Sequence, residues 1–248
     1  MARELRAAGF DSGLSPVLDC RLDPANTVIG DRAFGSAPGA VAGLGVAFVE
    51  AMLVAGLVPV AKHFPGHGLT SVDSHLALPD TTATLDDLER GELVPFRAVL
   101  TAGCPAVLVA HVRYRALDAE LPGSLSPAVV SGLLRGRLGF DGFVLSDDLE
   151  MSAVASTWGV AEAARRFLAA GGDLALICRS GDARDAAVAT IERDLERGAL
   201  DPAPAQRRRR AVLALLDGAG PRPDLAVIGC AEHRALAEEV ARRAAERG

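Results

Sequence analysis

An α/β fold whose parallel strands are arranged as a barrel is predicted by two observations. Short β-branched apolar runs alternate with longer stretches of helical period, the pattern of a parallel sheet covered on both faces by helices. In every unit the chemically reactive side chains fall at the C-terminal end of the apolar run or just beyond it. In parallel α/β folds that edge binds ligands, and in a (β/α)8 barrel it is the catalytic face. A doubly wound open sheet is the alternative. Neither GxGxxG after the first strand nor GxxxxGK anywhere is present, since Lys62 follows Ala61, so nucleotide binding is not expected.

In chain order, the strands are read as SPVLDC (15–20), VPVAKHF (58–64), AVLVAHV (106–112), FVLSDD (143–148) and LALIC (174–178). Helical period fits 38–56, 86–102, 126–137, 158–171 and 182–197, with Gly103, Gly139 and Gly171 where helix C-caps belong. Strand ends carry Asp19, then Lys62 and His63, then His111, then Asp147 and Asp148. Beyond Leu200 a helix over 201–217 presents Arg207 to Arg210 as a solvated face, and GAGPRP interrupts the chain. DLAVIG (224–229) reads as a sixth strand, followed by an amphipathic terminal helix.

Composition narrows the class. The chain has 248 residues, half of them hydrophobic, enough for one sizeable core. Its 26 basic and 32 acidic side chains leave a formal charge of -6, which argues against a nucleic-acid or anionic-membrane partner, because either calls for a dominant basic face. The apolar stretch from Val46 to Ala61 is interrupted by Glu50 and Pro59, too early to span a bilayer, and MARELRAAGF has no signal-peptide core. A cytoplasmic protein is expected. Cys20, Cys104, Cys178 and Cys230 are spread singly, so reduced thiols in the core are expected rather than a disulfide framework or zinc knuckle.

Two constellations carry chemistry. The run from Lys62 to Gly68, continuing through Asp73, Ser74 and His75, holds three of the five histidines and the only lysine. His63 and His67 have HxxxH spacing, but Pro65 and Gly66 between them oppose a helix that would aim both at a metal. A polar turn is the structural reading. The functional reading is a strand end followed by a loop in which Asp73 orients His75 and favours its charged form, making His75 the leading proton donor. The second constellation, Ser146 to Met151, follows an apolar strand. Successive strand side chains alternate between faces, so only one of Asp147 and Asp148 points into a barrel mouth while the strand stays regular, and periodicity does not choose between them. With no second acidic cluster at metal spacing, a nucleophile is favoured over a metal ligand.

SPVLDCRLDP with IGDRAFG, KHFPGHGLTSVDSH, VLVAHV with LPGSLSP, and LRGRLGFDGFVLSDDLEM together resemble glycoside hydrolase family 3. Within it they are similar to the bacterial β-N-acetylhexosaminidases, which remove N-acetylglucosamine from recycled cell-wall fragments. Leu69 stands where many relatives have Asp. The resemblance implies a retaining hydrolase in which Asp147 is the nucleophile. His75 would protonate the leaving group and later activate water, with Asp73 as its partner. Lys62, His63 and Arg32 would bind hydroxyls of the terminal sugar. A histidine acid/base departs from the usual two-carboxylate scheme but is chemically consistent near neutrality. No cofactor and no metal are implied, and the expected partner is a small carbohydrate.

Family members have three further strands before the run at 15–20, including a DQEGG segment, and MARELRAAGF does not supply them. The expected fold is therefore a partial (β/α)8 TIM-type barrel lacking about three N-terminal strands. Residues 1–217 would form the incomplete barrel domain and 218–248 a C-terminal linker and helix. Three alternatives stay open. They are a catalytically inactive sugar-binding barrel fragment, a family 3 β-N-acetylglucosaminide phosphorylase in which a histidine acid/base spares incoming phosphate the repulsion of a carboxylate, and a metal-dependent hydrolase using His63, His67 and Asp73.

Overall fold

The computed structural model describes residues 1–23, 26–70 and 78–246. In chain order the elements are α1 (Ala2–Ala7), β1 (Ser12–Gly13), α2 (Pro38–Val54), β2 (Val58–Phe64), β3 (Asp80–Thr81), α3 (Leu85–Arg90), α4 (Leu93–Thr101), β4 (Ala106–Val109) and β5 (Arg113–Tyr114). A π-helix (Ala128–Arg137), β6 (Phe143–Asp148), α5 (Ser152–Trp158), α6 (Val160–Ala169), β7 (Leu174–Leu176), α7 (Gly181–Glu196), α8 (Ala203–Asp217) and α9 (Ala231–Ala245) follow. Five strands make one curled, all-parallel sheet in the order β1-β2-β4-β6-β7, a partial TIM-type barrel, while β3 and β5 form a separate short pair.

Strand alternation divides the core in two. Ala61, Val107 and Val144 face the surrounding helices, where Phe64, Phe96 and Phe167 are fully buried. The Phe64 and Phe96 rings meet edge to face, 5.3 Å between centroids, a favoured aromatic geometry. Val60, Ala106, Leu108 and Leu145 form a smaller cluster on the opposite, concave face. Helix α8 lies against β2 and β6, and its Arg208 joins Asp141 at 3.1 Å and the fully buried Asp173 carboxylate at 2.8 Å. That helix therefore braces the N-terminal edge of the strands, away from the edge carrying the reactive side chains.

Several expectations are corrected. The run 15–20 is not a regular strand. It follows β2 through alternating bonds, Val60 N–H to Ser15 O, Lys62 N–H to Pro16 O and Leu18 N–H to Lys62 O, but Pro16 has no N–H to continue a ladder. The single helix expected over 86–102 is two helices, because Pro95 within one continuous helix would clash with the carbonyl of Gly91; the break falls at Gly91 and Glu92. Helix 158–171 begins earlier, as α5, and is interrupted at Gly159 with φ +72°, a conformation open to glycine. Segment 126–137 closes i→i+5 bonds, ending with Leu138 N–H to Leu133 O at 2.9 Å. DLAVIG is a 3-10 turn, Leu225–Val227, capped by Asp224 on Ala226 N–H at 2.7 Å, and adds no strand.

Of the cysteines, Cys20 and Cys104 are buried, Cys230 is half-buried and Cys178 is exposed, so thiols in the core describes two of the four. All four are free. No helix among the described residues is long and apolar enough to cross a membrane.

Candidate active site

The site is assembled around a buried carboxylate from the run that precedes β2. Asp19 is fully buried. It accepts the His63 ring Nδ1–H at 2.6 Å, the His67 backbone N–H at 2.7 Å and the His63 backbone N–H at 3.3 Å. Burial by itself would raise the Asp19 pKa. The charge and hydrogen bond of the His63 ring, with His67, outweigh it and hold the carboxyl below its ordinary value. Asp19 thereby sets the orientation of the His63 imidazole and fixes the backbone of His67 just beyond β2.

Glu92, at the break between α3 and α4, supports the same loop from below. Its carboxylate accepts the Cys20 N–H at 3.1 Å and the Gly68 N–H at 2.6 Å. Burial, then the charge of Asp19, pushes its pKa up to about 8 against the pull of those N–H groups. The loop passes so close that a Cβ on Gly68 would lie 1.7 Å from the Cys20 carbonyl oxygen. Tyr114 adds a hydroxyl donated to Gly66 O at 2.8 Å. Asn26 joins the loop leading to Arg32, donating to His67 O at 2.7 Å while accepting from the N–H groups of Val28 and Ile29.

These supports bring Arg32, Lys62, His63, His67, Asp147 and Asp148 to one cavity of about 200 Å³, walled on the apolar side by Val28, Ile29 and Met151. Lys62 shares the concave face with Val60, and Asp147 shares it with Leu145. Asp147 is thus the inward carboxylate. Asp148 reaches the cavity too, because the β6 register against β7 shifts between Leu145 and Asp148, a departure from the regular strand that would have excluded it. Asp148 N–H donates to Asp147 Oδ1 at 2.9 Å.

Positive charge lines the opposite wall. An Arg32 guanidinium nitrogen stands 3.4 Å from His63 Nε2. The Lys62 pKa is lowered, first by burial and then by Arg32, with Asp147 and Asp19 opposing. His67 donates Nδ1–H to Thr70 Oγ1 at 2.6 Å, and that hydroxyl donates to His67 O at 2.9 Å. Among the described residues no group of three or more His, Cys, Asp or Glu side chains is placed to hold a metal ion. Larger clefts exist elsewhere, one of about 530 Å³ between α1 and α9. Its imidazole, His233, is already tied to Glu4 at 2.9 Å.

Of the residues singled out in the sequence, Arg32, Lys62, His63 and Asp147 are brought together. Asp73 and His75 lie outside the described residues. Sequence reasoning missed the supporting roles of Asp19, Asn26 and Glu92, whose partners lie up to 72 positions away. The break at Glu92-Leu-Val-Pro was the one local signal. Chemically, the cavity offers cations and an imidazole to hold hydroxyl groups beside a carboxylate placed to attack an electrophilic carbon.

Comparison with known proteins identifies the family. Residues 1–215 match the glycosyl hydrolase family 3 N terminal domain. The chain belongs to glycosyl hydrolase family 3. Among its family 3 relatives is a beta-hexosaminidase of Thiobacillus denitrificans, 44% identical over 208 residues, covering 84% of this chain and 56% of that protein. One of Nitrosospira multiformis is 40% identical, covering 79% and 55%. A solved family 3 beta-N-acetylglucosaminidase from Paenibacillus sp. str. FPU-7 superposes with TM-score 0.86 at 38% identity, over 92% of this chain and 44% of that one. The beta-N-acetylglucosaminidase from Thermotoga maritima gives 0.75 at 36% identity, over 87% and 46%. The family 3 chain thus spans little more than half the length of these curated relatives.

Proposed function

We propose that this chain acts as a retaining exo-β-N-acetylglucosaminidase on small glycosides such as cell-wall muropeptide fragments, with Asp147 as nucleophile and His75 as acid/base. The observation that supports it most is the inward carboxylate Asp147 facing Lys62, His63 and Arg32 across one cavity at the C-terminal strand edge. The names of the relatives supply the sugar.

In this reading Lys62, His63 and Arg32 bind hydroxyls of the terminal sugar, which fixes its anomeric carbon in front of Asp147. The Asp147 carboxylate attacks that carbon, and the glycosidic C–O bond breaks as His75, oriented by Asp73, gives its proton to the departing oxygen. The same imidazole then takes a proton from water, which attacks the glycosyl ester and releases the sugar with its original configuration and a free Asp147 carboxylate.

The test is release of nitrophenol from 4-nitrophenyl N-acetyl-β-glucosaminide by the full chain. Turnover lost in Asp147→Asn supports the assignment; a variant retaining the full rate removes Asp147 from it. A wild-type chain that binds N-acetylglucosamine without turnover would identify a sugar-binding barrel fragment.

A further inference from the structure

His111 continues the line of β4 and has no part in the sugar contacts above. It is 1% exposed. Its Nε2 lies 3.1 Å from the main-chain oxygen of Asp148; a carbonyl only accepts, so Nε2 carries the proton and donates it. Nδ1 is then the lone-pair nitrogen, and the Ser124 hydroxyl 2.7 Å away donates to it. Ser124 is fully buried and is itself held by its N–H on Ala110 O at 3.1 Å. Burial lowers the His111 pKa, with Asp147 and Asp148 opposing, in keeping with an uncharged ring of this tautomer.

The place of this pair in the sheet gives it a task. The β4 to β6 ladder ends at Val109 opposite Ser146, and on the other side the β6 register against β7 is irregular between Leu145 and Asp148. The stretch carrying both cavity carboxylates has therefore lost its regular backbone partners on the β4 side, where His111 supplies the next bond across. Asp148 in turn gives its N–H to Asp147 Oδ1 at 2.9 Å.

We propose that His111, set by Ser124, is a positioning residue that stands in for the missing ladder bond and thereby orients the Asp147 carboxylate. The direction of donation runs from Ser124 O–H to His111 Nδ1 and from His111 Nε2–H to Asp148 O, whose residue's N–H meets Asp147. The proposal rests on the reading of Asp147 as nucleophile.

The experiment compares His111→Ala, His111→Gln and Ser124→Ala in the full chain, using the nitrophenyl glycoside and the 15N spectrum of the histidine rings. His111→Ala is expected to lower kcat about 100-fold, the scale of a small misplacement of a reacting group, while KM moves much less. His111→Gln keeps an N–H able to reach the carbonyl and is expected to restore about a tenth or more of the lost rate. The wild-type ring is expected to be the Nε2–H tautomer, and Ser124→Ala to shift its Nδ1 signal. A folded His111→Ala variant with kcat within about twofold of wild type, equal losses in the Ala and Gln variants, or an Nδ1–H ring would each overturn the proposal. Should the wild-type chain show no turnover, the proposed function fails. The ring tautomer and the hydrogen-exchange protection of the Asp148 amide in His111→Ala still decide the relay, and unchanged protection overturns it.

Discussion

Replacing Glu92 by glutamine isolates the carboxyl group beneath the loop that follows β2, and its effect on folding can be worked from the structure. Burial and Asp19 raise the Glu92 pKa from 4.5 to about 8. A group with a raised folded-state pKa keeps its proton in the native protein where the unfolded chain has lost it. Its contribution to stability is therefore present below pH 4.5 and lost as pH rises toward about 8. At 1.36 kcal/mol per unit the ceiling on that loss is about 5 kcal/mol. Asp19, tied to the same loop, shares part of it. Glutamine cannot ionise, so the variant should lose this slope. It should also start lower, because its NH2 has no lone pair for the N–H of Cys20 or Gly68, each of which now donates to its own Glu92 oxygen, and a protonated carboxyl oxygen still accepts; one buried donor left unmatched costs about 1–3 kcal/mol. Urea unfolding of both proteins at pH 5, 6.5 and 8 measures the difference. The expected outcome is a less stable variant at pH 5 whose deficit shrinks by pH 8. Parallel pH profiles, or equal stability at pH 5, would refute the reasoning.

Two further outcomes follow from packing and close approach. Phe167→Ala, at a fully buried ring whose tip abuts Gly172, should cost about 3–5 kcal/mol in denaturant titration. Gly68→Ala should displace the loop after β2, since its Cβ would overlap the Cys20 carbonyl. Weakened N-acetylglucosamine binding at little change in the far-ultraviolet circular dichroism would register that displacement, and unchanged affinity would count against it.

Much of the architecture is legible in local pattern. β2 over Val58–Phe64 and β6 over Phe143–Asp148 coincide with the apolar runs read from the sequence, because strands buried on both faces are near-continuous in Val, Leu and Ala. Gly103, Gly139 and Gly171 end their helices at positive φ of 85°, 67° and 106°. Failures cluster where a residue's partner is distant or a local rule is overridden. Pro16 hides a strand path that depends on β2 for every other bond, and DLAVIG has strand-forming composition but lies against α1 as a 3-10 turn, with Leu225 left 66% exposed.

At the site the division is similar. KHFPGHG and SDD announce reactive side chains at strand ends from spacing alone, and Lys62, His63 and Asp147 do meet there. The alternation of a strand defines two faces without saying which one turns inward. Only the packing of Val144 toward the helices and Leu145 toward the concave side makes Asp147 the inward acid. The buried partners that hold the site are equally beyond local reading. Asp19 reaches His63 across 44 positions and Glu92 reaches Cys20 across 72. A carboxylate is driven into the interior only where the fold brings N–H groups to meet it, so its role exists in the tertiary structure and not in the residues that flank it.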